Sequence, residues 1–150
     1  MENLLTLQDL FDGRIFKVPN YQRGYSWEKS HRNDLREDLE SMNRKRHYTG
    51  TIVLKESVKA QGFGETYKRF DIVDGQQRIT TLIIFLNHIV KELVIIDTEE
   101  SKEIAGNIMK KYIKYKGPMG SIYKLELDLD NEEFFKQRIL IILHKAKKYS

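Results

Sequence analysis

No cysteine occurs among the 150 residues of this chain. Disulfides and thiolate metal sites are therefore excluded, a composition that suits the cytoplasm. Residues 1–11 carry two acids and no basic stretch, so they do not read as a secretory signal. The longest apolar runs are broken by Asn87-His88 and Lys91-Glu92, and no stretch is expected to cross a bilayer. There is no glycine-rich lysine loop of the Walker type, no His-Glu-x-x-His and no Gly-x-Ser-x-Gly. Familiar ATPase, zinc protease and serine hydrolase classes lose support accordingly. The four histidines, His31, His47, His88 and His144, show no metal-ligand spacing. His88, in the most apolar segment, is expected to be a satisfied core residue.

What is present is a folding-competent composition: 40% hydrophobic and 32% charged residues, in a length that fits one domain spanning 1–150. The net charge of +4 is unevenly placed. The last third holds 11 Lys and Arg against 6 Asp and Glu, with Lys110, Lys111, Lys114, Lys116, Lys145, Lys147 and Lys148 prominent. A polyanionic partner such as DNA fits this excess, and so does a plain solvated helix face.

Hydrophobic periodicity sets the expected elements. Thr6 caps a short helix ending near Phe11, and residues 14–18 form a strand ended by Pro19. A polar helix follows Trp27 with Leu35, Leu39 and Met42 on one face. Strands are expected over 49–58 and 66–73, antiparallel to each other and joined by a glycine-containing connection over 59–65. Residues 79–93 form a buried helix, apolar on almost every side. An amphipathic helix covers 98–114, broken by Gly117-Pro118. A strand over 121–128 precedes a last apolar helix that reaches Ser150 without a stop signal, as in a fragment of a longer chain. The class is α+β: a small mixed sheet packed with helices, with a helical second half.

Chemistry concentrates in two places. In Ile72-Val-Asp-Gly-Gln-Gln-Arg-Ile-Thr-Thr-Leu82 a strand hands over to a helix, whose first amides lack intrahelical partners and carry partial positive charge. An anion such as phosphate is the natural occupant. Gly75 lets backbone approach a ligand. Arg78 can fork onto phosphate oxygens. Gln76 and Gln77 can orient a water or read a base edge, and Asp74 can hold a divalent cation or take a proton. Thr80 and Thr81 could donate to phosphate or simply bond backbone. On composition alone a helix cap, Asp-Gly followed by helix-forming Gln-Gln-Arg, is slightly the better account, yet two amides beside a guanidinium at the entry of a buried helix are hard to explain by capping. Asp71 and Asp74 could share a metal only if the strand bends, since positions three apart face opposite sides.

The second place is Val18-Pro-Asn-Tyr-Gln-Arg-Gly-Tyr-Ser-Trp27. Its aromatics can stack a nucleobase or plug a small core, and Arg23 can meet phosphate or carboxylate. The polar cluster Tyr21, Gln22 and Arg23 has little packing value, which favours a ligand-facing reading. Gly50, in Tyr48-Thr-Gly50, serves either close backbone contact or a tight turn.

These two motifs, with Tyr48-Thr-Gly50 between them and Lys124-Leu-Glu-Leu-Asp-Leu-Asp130 before Phe134-Phe135, resemble the N-terminal domain of the GmrSD-type restriction proteins in residues, order and spacing. The departures are mild: Val18 for isoleucine and Ile79 for leucine. The resemblance implies a ParB/sulfiredoxin-like fold and a domain that binds and hydrolyses a nucleoside triphosphate with Mg²⁺, in defence against modified foreign DNA. It puts Asp74, Gly75, Gln76, Gln77 and Arg78 at the phosphates, with Asp74 toward the metal. Tyr21, Gln22 and Arg23 then form the neighbouring wall and sense modified DNA. A nuclease part, C-terminal or separate, is the implied partner. Nothing here resembles a His-Asn-His nuclease, so this chain alone is not expected to cut DNA. Two rivals stand beside hydrolysis: a nucleotide- or DNA-binding module without turnover that regulates a partner nuclease, and a DNA-recognition domain using the lysine-rich last third.

Overall fold

A computed structural model describes residues 4–22, 28–42, 48–57, 67–117 and 120–127. The described chain opens with α1 (Leu7–Phe11), started by a capping box in which the Thr6 hydroxyl accepts from the Asp9 amide and Asp9 answers the Thr6 amide. Strand β1 (Arg14–Lys17) follows, then the polar helix α2 (Lys29–Ser41) with Leu35, Leu39 and Met42 half-buried. Next come β2 (Val53–Glu56), β3 (Lys68–Asp74), the long helix α3 (Gln76–Ile96) and α4 (Glu99–Ile108). A π-helical turn, Met109–Ile113, leads into the hairpin β4 (Lys114–Gly117) and β5 (Gly120–Tyr123), and then β6 (Leu125–Glu126).

The main sheet has the order β2-β3-β1-β6. β1 runs parallel to both β3 and β6, whereas β2 and β3 are antiparallel, as their sequence pattern implies. The architecture is thus mixed α+β: a small four-stranded mixed sheet with several helices. Among the described residues of the second half, the short strands β4, β5 and β6 follow the helices α3 and α4. The expected strand over 121–128 is split at Lys124, and the expected helix over 98–114 gives way to the π turn and β4. The expected connection over 59–65 and the expected last helix lie outside the described residues.

The core is assembled from elements along the chain: Phe11 from α1, Phe16 from β1, Ile72 from β3, Ile79, Ile83 and Val90 from α3, Ala105 from α4, and Ile113 and Leu125. Phe11 stands edge-on to Phe16 at 5.0 Å and to Tyr112 at 5.5 Å between ring centroids. By length and composition α3 is apolar enough to cross a bilayer, which corrects the expectation drawn from Asn87-His88 and Lys91-Glu92. Its buried face instead packs into this core. His88 is also placed differently from expectation. It is exposed and sits 4.0 Å from Glu92 one turn on, while its neighbour Asn87 goes inside. A 3.6-residue period turns neighbours about 100° apart, so adjacent Asn87 and His88 cannot share a face.

Lys124 is the other unforeseen interior group. It is 3% exposed. Its ammonium donates to the carbonyls of Phe11 (3.1 Å) and Arg14 (3.4 Å) and lies 4.2 Å from the Tyr67 ring centre. It ties the end of α1 and the start of β1 to the last strand.

Candidate functional site at the start of α3

The backbone turn from β3 into α3 is made at Gly75, which adopts φ 93°, ψ 11°. That left-handed conformation suits glycine. Space requires it as well, because a Cβ at position 75 would stand 2.9 Å from Cγ1 of Ile52. Asp74 bends back so that its Oδ1 accepts from the Gly75 amide at 2.8 Å. Helix α3 has no side-chain cap. By contrast, α1 and α4 each begin with a threonine whose hydroxyl accepts from the third amide, Thr6 for α1 and Thr98 for α4. The longest helix thus starts without the device this chain uses elsewhere.

Three stretches meet there. The first is residues 19–22, where Gln22 closes a turn onto the Pro19 carbonyl (3.0 Å). The Gln22 side chain donates its Nε2 to the Val73 carbonyl at 3.0 Å. This bond brings the early loop to the mouth of α3 across 51 positions of sequence. Tyr21, beside it, is 77% exposed. The second stretch is residues 48–52. Arg78 Nη1 donates to the Thr51 carbonyl at 2.9 Å, and the Tyr48 and Thr51 hydroxyls are 2.8 Å apart. The third is the β3–α3 junction itself.

A model of the family described as GmrSD restriction endonuclease, N-terminal domain, matches residues 7–149. The chain belongs to this family. Comparison with curated proteins gives no match. The family is one of restriction and phage defence. In this fold Gln22 joins residues 19–22 to the β3–α3 junction.

The anticipated residues of this GmrSD domain divide by depth. Asp74 is exposed, Gln77 and Arg78 are half-buried, and Gly75 and Gln76 are buried, Gln76 with 8% of its surface exposed. Thr81 donates its hydroxyl to the Gln77 carbonyl at 2.7 Å, the backbone alternative anticipated for it. Thr80 is 1% exposed and finds no hydrogen-bond partner among the described residues. Arg23 lies outside the described residues, as do Tyr25, Trp27 and the lysines beyond position 127. Asp71 is half-buried within the sheet, with Lys17 and Lys55 as its register partners. Among the described residues no three carboxylates or imidazoles gather into a metal-binding group.

Sequence reasoning undervalued residues 48–52. Ile52 covers Gly75, and Gly50 carries the Arg78 guanidinium on its backbone, so this segment roofs the first turn of α3. Gly50 was the available signal, but a glycine's φ sign cannot be read from composition.

Proposed function

We propose that this domain binds a nucleoside triphosphate at the mouth of α3 and hydrolyses it, as the regulatory part of a restriction protein that acts on modified DNA. The observation that carries this reading is the start of α3. A left-handed glycine opens a helix with no side-chain cap, and a guanidinium is held over the same turn by Thr51 and Gly50. A helix N-terminus carries partial positive charge, and an arginine beside it adds to the attraction for an anion.

Each residue then has a distinct task. The N-terminus of α3 faces the phosphate oxygens, and Gly75 leaves room for them to approach. Arg78 has committed one N–H to Thr51 and, with five donors in its fork, can meet charge developing on the terminal phosphate. Gln77 is the better placed of the two amides to orient a water, because Gln76 is buried. Asp74 uses one oxygen on the Gly75 amide and retains the other. One carboxylate oxygen beside phosphates fits the donor set of Mg²⁺, which keeps waters and takes one or two carboxylates. Such an ion supplies charge neutralisation at the phosphates. Tyr21 and Gln22 wall the pocket on the side where modified DNA is sensed.

Phosphate release by the purified protein, compared with Arg78→Ala, tests the proposal. Loss of a donor to the transition state should slow hydrolysis by on the order of 10²-fold. Equal rates would remove Arg78 from the chemistry. Binding without turnover is the second reading, favoured by the burial of Gln76 and the tie of Arg78 to Thr51. Calorimetry showing nucleotide binding with no phosphate release would select it.

A further inference from the structure

Tyr48 is 65% exposed, yet it is not a loose surface residue. Its hydroxyl is hydrogen-bonded to the Thr51 hydroxyl at 2.8 Å, and the carbonyl of the same Thr51 receives Arg78 Nη1 at 2.9 Å. Ring and guanidinium are therefore mounted on one residue. Tyr48 is two residues from Gly50, on which the guanidinium rests, so the Cα atoms of 48 and 50 lie within about 7 Å. A tyrosine left largely in solvent with its polar end anchored presents an apolar face at low conformational cost. A nucleobase is the planar ligand such a face suits, and stacking accepts any base because each has a π-face.

We infer that Tyr48 is the base-stacking residue of the pocket: phosphates rest at Arg78, and the base lies on the Tyr48 ring one sugar away. This rests on the nucleotide reading above. It adds that recognition of the base is by stacking and is tolerant of base identity, with the hydroxyl serving only to hold the ring.

The experiment compares binding of ATP, GTP and inorganic tripolyphosphate, each with Mg²⁺, to the wild-type chain and to Tyr48→Ala, Tyr48→Phe and Tyr21→Ala. Tyr48→Ala should weaken both nucleotides by about ten-fold and leave tripolyphosphate unchanged. Tyr48→Phe, which keeps the ring, should stay within about three-fold of wild type. Four results would overturn the inference while leaving nucleotide binding intact: no loss in Tyr48→Ala, equal loss for tripolyphosphate, full loss in Tyr48→Phe, or base-dependent loss confined to Tyr21→Ala. A wild-type chain that binds neither nucleotide nor tripolyphosphate would instead refute the nucleotide reading itself.

Discussion

The guanidinium of Arg78 lies against the backbone of Gly50 so closely that a Cβ built there would stand 2.8 Å from both Cζ and Nε. No side chain fits between them, and Gly50 has φ +106°, a region other residues enter at a cost. The position of the arginine is therefore set by the absence of a side chain 28 residues earlier as well as by its bond to Thr51.

Gly50→Ala should accordingly do two things. Strain at the positive φ should lower stability by about 1–3 kcal/mol. Displacement of the guanidinium should cut the proposed nucleotide hydrolysis by ten-fold or more, on the order of 1.4 kcal/mol in the barrier. Thermal unfolding and phosphate release, measured well below the unfolding midpoint, separate the two effects. Wild-type turnover in a folded Gly50→Ala protein would show that the arginine's placement is immaterial.

Gln22→Leu keeps the approximate shape and deletes the donor to the Val73 carbonyl. Val73 is exposed, so water can replace the lost partner and stability should fall by no more than about 1 kcal/mol. Because the bond holds residues 19–22 at the mouth of α3, KM in the proposed nucleotide hydrolysis should rise several-fold with little change in melting temperature. A large melting shift with unchanged KM would make Gln22 a folding residue only.

Stability should depend on alkaline pH through Lys124. Burial lowers the affinity of this amine for its proton from an ordinary pKa of 10.5 to about 8, against a smaller opposing pull from the Asp12 carboxylate. Between these values the unfolded chain holds the proton and the folded chain has released it. Stability therefore rises with pH from about 8 to 10.5. Below pH 8 both states are charged and the folded state bears the full desolvation penalty, on the order of 1–3 kcal/mol. Denaturant midpoints across pH 7–11 should show this rise in the wild-type chain, and its removal in Lys124→Met. Parallel profiles for the two proteins would contradict it.

The Arg69–Glu126 ion pair joins β3 to β6 across β1 at 2.7 Å, with side chains only 18% and 24% exposed. Such a pair is better shielded than a surface bridge, so its loss costs more than that of an exposed pair. Glu126→Gln should destabilise by about 1–3 kcal/mol, and a double-mutant cycle with Arg69→Met should recover part of it. Strict additivity would mean the two groups do not interact.

Much of the first half was readable from local rules. The Thr6 cap, the antiparallel pairing of β2 with β3 and the strand-to-helix handover at Asp74-Gly75 each follow from residues that act on near neighbours. Elements made by tertiary pairing were not readable. β4 continues a helical hydrophobic pattern and becomes a strand because it pairs with β5. Lys124 interrupts an alternating run because its ammonium finds the Phe11 and Arg14 carbonyls more than 100 residues away. In the candidate site, residue types announced the Gln22 and Arg78 stretches. Their juxtaposition rests on one amide-to-carbonyl bond, and the role of residues 48–52 rests on a backbone angle.

Strand β2 lies at the sheet's outer edge, and its pairing with β3 shifts between Val53 and Leu54. Leu54 to Glu56 stay pinned in the ladder while the residues before the bulge project over α3. The projecting piece is a cantilever with its fulcrum at Val53 and its tip on a positive charge. A load that tilts it reaches the arginine through Thr51 and Gly50, and the helix start through Ile52 on Gly75.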